Sequence, residues 1–449
     1  MRKLLLLLSI GAFAWPALAE AGGAHQTTID GIAYRWEKPL VYNLDRGDLK
    51  PGDSDFSRER VAQIIAESFA SWTDSLQGGS LSIGEGESLP LAADGLGDDV
   101  NIGNYLAYIG SSKPVNPIIL DADGEVLDAV FGACAKFNTL AFAGLEQVSE
   151  GTASIEKARA VFSGACIPDA SGQTVSKEGC GPCALTLDET RVRRMIVHEI
   201  GHLLGMDHSQ VNPESYGSCR ANGSCPISIE EDIPTMFPML VEGAKMETLH
   251  ADDTAYFNRL YGNPEASSCG VEGKIFASDG RTELRGVEVV LRSVDSRFER
   301  EEALAFISGA EAPRLRLGDK TAANCAGDCG AYQITGLKPG ETYKVCVQNI
   351  LSQFQGGSGM EPVDTPQALV KVECFDEITV SCDCADGSCD QFSGIDVVTN
   401  PFDGTSPLGS GNLSESENLG AGGCSLVPAR PNRLWYRLKN LLVFAGRFQ

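Results

Sequence analysis

Residues 198 to 209 read HEIGHLLGMDHS and hold three of the five histidines in the chain. His198 and His202 stand four residues apart, which puts both imidazoles on one face of a helix and within reach of a single ion. The preceding run LDETRVRRMIV supports that helix, because Val192, Met195, Ile196 and Ile200 recur at helical intervals. Gly205 admits a backbone conformation unfavourable for other residues, so the chain can leave the helix axis and turn back. His208 follows the turn and can approach the same ion from a third direction. Three neutral imidazole nitrogens with a fourth position open make the donor set of a catalytic zinc, not of a closed structural one. Glu199, next to a ligand, lies beside that open position, where it can take a proton from zinc-activated water.

The extended pattern HExxHxxGxxH resembles the zinc motif of the metzincin metalloproteases, and Ser209 continues it as in the matrixins, the matrix-metalloprotease-like group. IPTMFPM supplies Met236 for the methionine turn that metzincins carry beneath the metal. LHADDTAYFNRLYG (249 to 262) resembles the closing matrixin helix, YRWEKPLVYNL (34 to 44) the first strand, and ERVAQIIAESFASW (59 to 72) the first helix. Val61, Ile64, Ile65, Phe69 and Trp72 independently read as one helix face. The landmarks run in order from residue 30 to 262.

The resemblance implies an α+β catalytic domain, with a twisted, mostly parallel sheet, an antiparallel edge strand and helices. It implies a zinc-dependent endopeptidase acting on extended protein or peptide substrates. One catalytic zinc would be held by His198, His202 and His208, with Glu199 as the base and Gly205 and Met236 supporting the site. DADGEVLDAVF (121 to 131) resembles the edge strand beside the substrate cleft, so a substrate would add to the sheet near Val126 to Phe131. FPMLVEG after Met236 would wall an apolar specificity pocket and favour a hydrophobic residue just after the cut.

Several departures from the family stand out. The first strand starts shortly after the leader, with no propeptide of the usual kind. Cys166 in ACIPD superficially resembles a zinc-blocking cysteine, but its place inside the catalytic region reads as a disulfide partner. Asp128 stands where a second, structural zinc would want histidine, so a single zinc is expected. Asp121, Asp123 and Glu125 offer oxygen ligands for a possible calcium, or else form a solvated turn. The connection from His208 to Met236 is long, and Cys219 and Cys225 read as the pins of a surface loop.

Residues 1 to 19 read as a signal peptide: Arg2 and Lys3, an apolar run, then ALA before Glu20. Export makes the 15 cysteines intelligible as disulfides. Cys134, Cys166, Cys180, Cys183, Cys219 and Cys225 fall in the protease-like region (27 to 262). Eight more lie from Cys269 to Cys389, and Cys424 is left over. Even counts suggest that each region closes its own bridges, and CGPC (180 to 183) reads as structural, not redox-active. Lys and Arg number 36 against 61 Asp and Glu, a formal charge of −25. Such a surface repels nucleic acid and suits a secreted protein.

Residues 267 to 400 change character. Val287, Val289 and Leu291 alternate, and GAYQITGLKPGETYKVCVQN repeats the strand–turn–strand signal. The segment resembles the transthyretin-like, carboxypeptidase-regulatory-like β-sandwich, an all-β module read as stabilising or substrate-tethering. Residues 401 to 423 form a Gly/Ser-rich linker. The basic amphipathic tail, 424 to 449, is either a packed helix or a membrane-surface anchor that would retain the secreted protein at the cell. Two function classes follow: a secreted zinc endopeptidase, or a non-catalytic adhesion protein on a metzincin scaffold. The intact Glu199 favours the first. Nothing in the sequence fixes the oligomeric state.

Overall fold

The computed structural model describes residues 23–263, 269–315, 325–350, 369–380 and 393–404. The leader (1 to 19), residues 405–423 of the linker and the tail with Cys424 lie outside them.

The first module is built in chain order from β1 (Leu40–Leu44), α1 (Arg58–Asp74), β2 (Ile83–Glu85), β3 (Asn116–Asp121), α2 (Glu125–Phe131), β4 (Ala141–Ser149), β5 (Ser154–Ser163), α3 (Glu189–Leu203), α4 (Pro213–Asn222) and α5 (Ala251–Tyr261). Its five strands form one sheet in the order β2-β1-β3-β5-β4. Every pairing is parallel except that of the edge strand β4 with β5. Strand alternation explains why both faces are buried. Ile118 and Leu120 of β3, with Ala160 and Phe162 of β5, enter the main core, whereas Ile119 and Val161 face a second cluster with Tyr108, Val126 and Phe142.

α1 begins at an N-cap where the Ser57 side chain accepts from Arg60 N–H. Val61, Ile64, Ile65, Phe69 and Trp72 are its buried face. α1 and α3 pack against each other under the sheet. Trp72 closes the contact, with Nε1 donating to the Val197 carbonyl of α3 at 3.0 Å and its ring edge-on to Phe257 of α5 at 5.1 Å.

The stretch from 125 to 131, expected as an edge strand, is helix α2. Gly124 turns the chain in the left-handed region at φ 73°. The Asp121 carboxylate then accepts from Val126 N–H (3.2 Å) and Leu127 N–H (3.0 Å), satisfying donors of the first turn. Asp123 accepts from Glu125 N–H at 3.0 Å, so two of the carboxylates considered for calcium shape this turn. The strand that precedes the turn, β3, is central, and the sheet edge belongs to β4.

The second module comprises β6 (Gly270–Phe276), β7 (Val287–Ser293), β8 (Leu304–Ile307), β9 (Ala331–Thr335), β10 (Thr342–Asn349), β11 (Glu373–Thr379) and β12 (Val397–Val398). They form two sheets, ordered β11-β10-β7-β8 and β12-β6-β9. Leu304 and Phe306 of β8 join the same buried cluster as Tyr256 and Leu260 of α5, so the two modules share one core.

Five disulfides lie among the described residues: Cys134–Cys180, Cys166–Cys183, Cys219–Cys225, Cys325–Cys329 and Cys346–Cys374. The two cysteines of CGPC therefore bond to other partners, and Cys166 is committed to a bridge. Cys219 and Cys225 bond to each other and so pin the long connection, which also carries the helix α4 that holds Cys219. These bridges are compatible with an extracellular protein. No helix among the described residues is long and apolar enough to cross a membrane.

Because Trp72 is wholly buried and joins three helices, Trp72→Ala should cost about 3–5 kcal/mol of stability. Denaturant unfolding of the full chain measures this, and a loss below about 1 kcal/mol would contradict the packing described.

Candidate metal centre

α3 delivers the first two histidines. The Asp188 side chain caps its N-terminus by accepting from Arg191 N–H at 2.9 Å, and Val192, Met195, Ile196, Ile200 and Leu203 fill the core. His198 and His202, four residues apart, bring their ring centroids to 4.8 Å with near-perpendicular planes. Gly205 then adopts φ 91°, and a Cβ there would come within 3.0 Å of the Tyr34 carbonyl oxygen, so the reversal requires glycine. The returned chain places His208 against His202, with centroids 4.6 Å apart. All three rings are almost completely buried.

The three Nε2 atoms converge. His202 Nε2 lies 3.1 Å from His198 Nε2 and 3.1 Å from His208 Nε2. The tautomers of the helical pair follow from the other ring nitrogens. His198 Nδ1 is 2.7 Å from the Thr235 carbonyl oxygen and His202 Nδ1 is 2.9 Å from that of Met206. A carbonyl oxygen only accepts, so each Nδ1 carries the hydrogen and each Nε2 presents a lone pair. Burial, reinforced by the neighbouring His202, pushes the His198 pKa down to about 3. Burial likewise takes His202 down to about 4. At neutral pH both rings are therefore uncharged, and the 3.1 Å contact between their Nε2 atoms sets two lone pairs against each other. A hydrogen bond cannot hold such a contact; a cation can. Nitrogens around a tetrahedral ion with bonds of about 2.0–2.1 Å are spaced at about 3.3 Å. The donor set fits a metal ion.

The surroundings fix this geometry. The Met236 sulfur lies beneath α3, where a Cβ on Gly201 would fall 2.3 Å from it, so glycine lets the turn approach the helix. Asp253 of α5 anchors that turn by accepting from Thr235 N–H (2.8 Å), Met236 N–H (3.1 Å) and His250 N–H (2.9 Å). Burial, then the charge of Asp252, pushes the Asp253 carboxyl up to about 7. Thr235, held in this way, offers the carbonyl that orients His198. Glu199 is fully buried, one residue beyond the first ligand.

Residues 23 to 25 also flank the site, a feature that sequence reasoning missed. Ala24 bridges to Met206, His25 N–H donates to the Gly205 carbonyl at 2.7 Å, and the His25 ring lies 5.4 Å from that of His202. His25, His202 and Asp207 form a second group with metal-binding spacing. It shares His202, whose nitrogens already face Met206 and the other two histidines, so it adds no independent centre. Among the described residues no further group of this spacing occurs. Asp128 accepts from Lys136 N–H at 3.2 Å and pairs with Lys177 at 3.4 Å.

No protein-family model matches the chain, and no curated protein matches it.

Protons compete with metal for Nε2, and lowered ring pKa values move that competition to lower pH. Both helical histidines titrate well below the ordinary 6.5. In the metal-free chain both rings should therefore stay neutral from pH 7 to about pH 5 and take up protons only below it. NMR titration of the two imidazoles checks this. Protonation of either ring that begins already near pH 6.5 would contradict the buried, neutral rings.

Proposed function

We propose that the chain is a secreted zinc-dependent endopeptidase of the metzincin, matrixin-like kind. His198, His202 and His208 are the metal ligands, and Glu199 is the general base. The observation that carries this reading is the convergence of three buried histidines, with His202 Nε2 3.1 Å from Nε2 of both His198 and His208, and with Glu199 buried at the position next to His198. A zinc ion held there supplies Lewis acidity toward a peptide carbonyl and toward water. Glu199 takes the proton of the attacking water onto its carboxylate and passes it to the leaving amine. The Asp253 network keeps the turn that carries Thr235 and Met236 rigid, so the ligand rings hold their orientation through turnover.

The substrate lies extended along β4, not along residues 126 to 131. β4 ends the sheet, and α3 packs against it. Its outer edge offers main-chain donors and acceptors to a peptide strand, while side-chain pockets select. Phe237, Met239, Leu240 and Val241 follow the methionine turn as an apolar segment, backed by Tyr216 of α4 at 5.0 Å from the Phe237 ring. That composition supports a preference for a hydrophobic residue just after the cut. The disulfides support export, as does the leader read in the sequence.

Removing the base should lower turnover by about 10²–10⁴-fold in Glu199→Gln while zinc content stays at the wild-type level. Full peptidase activity in that variant would overturn the assignment of Glu199. A diverse peptide library, read by mass spectrometry with and without chelator, should yield chelator-sensitive cuts before hydrophobic residues. A profile dominated by charged residues at that position would contradict the assignment of the pocket.

A further inference from the structure

The residues just beyond the third histidine are held from both modules, Asn212 also donating to the Asp232 carbonyl of the first at 2.8 Å. Ser209 N–H donates to the Met236 carbonyl at 2.9 Å, a bond within the first module. The Ser209 hydroxyl donates instead to Oδ2 of Asp252, whose Oδ1 accepts from Ala305 N–H at 2.6 Å. Ala305 sits on β8, the end strand of its sheet, and β7 pairs with it on the other side. Without Asp252 that edge N–H would be left unsatisfied at a buried junction. Val211 packs into a cluster with Val290, Ala303, Ala305 and Cys346, all from the second module. Asn212, in the left-handed region at φ 62°, accepts from Arg292 Nη1 at 2.6 Å and donates to the Arg300 carbonyl at 2.9 Å. Ser209, Val211 and Asn212 thus each reach the β-module, directly or through Asp252.

Two ligands ride on a packed helix, and the third rides on this loop. A chelating set binds tightly only when its members are placed in advance, and loops are the parts of a fold that open first. We infer that Asp252 is a positioning residue of the metal centre, which couples the third ligand's loop to the edge of the β-module and makes that module part of the site. The inference rests on the metal-centre reading of the three histidines.

The test uses the full chain loaded with zinc alone and follows transfer of zinc to a colour-forming chelator. Thermal unfolding of the metal-free chain is read in parallel. Asp252→Ala should lose zinc about tenfold faster or more. Asp252→Asn keeps an oxygen for Ala305 N–H and offers an amide to the Ser209 hydroxyl, so it should stay close to wild type. Ser209→Ala cuts the link to the loop but leaves the Asp252–Ala305 junction. It should also speed zinc loss, with metal-free thermal stability unchanged, and it carries the test by itself if Asp252→Ala does not fold. Wild-type zinc loss in every folded alanine variant overturns this inference alone, including the case in which Asp252→Ala merely lowers thermal stability. A wild-type chain that takes up no zinc overturns the metal centre and this inference together.

Discussion

Two imidazole lone pairs held 3.1 Å apart in a buried interior repel each other, and the fold accepts that repulsion only because everything around the rings opposes their rotation. Thr235 and Met206 carbonyls take the two Nδ1 hydrogens and turn both Nε2 atoms toward one point. Gly205 brings the chain back so that His208 completes the set. Much of the first module can be read as support for this point. α3 needs α1 and the sheet to bury its apolar face, and Asp253 needs the methionine turn to receive its bonds. Without a cation the arrangement is an electrostatic liability. With one, the converging lone pairs become its ligands.

The same logic explains how the modules relate. A second module joined by a flexible linker would leave little trace in the first. Here Arg259 and Tyr256 of α5 bind Glu311, and Leu304 and Phe306 share the core that contains Trp72 and Phe257. The junction thus ties the second module to α5 and, through Asp253, to the turn that carries Thr235 and Met236.

Local spacing made the histidine group and the first helix legible. Histidines at i and i+4, and apolar residues at 61, 64, 65, 69 and 72, project onto one helix face whatever the rest of the chain does. The stretch from 121 to 131 was harder. Its apolar residues fit a short helix or a strand, and the choice turns on Asp121 capping the first turn, a contact that periodicity does not encode. Disulfide partners were equally hidden, because six cysteines allow 15 pairings and only the fold brings Cys134 beside Cys180. His25 could not be foreseen near the site. It reaches His202 through backbone pairing of Ala24 with Met206, far away in sequence. The positioning roles of Asp252 and Asp253 follow the same rule, since each acts on a loop that only tertiary packing brings to it.

The central claim is that three imidazoles of one chain enclose a metal ion. X-ray absorption at the zinc edge of the full, zinc-loaded chain tests it most directly. The account predicts one zinc per chain with three imidazole nitrogens at about 2.0–2.1 Å and no sulfur in its first shell. A sulfur-containing shell, or fewer than three imidazoles around the ion, would contradict it.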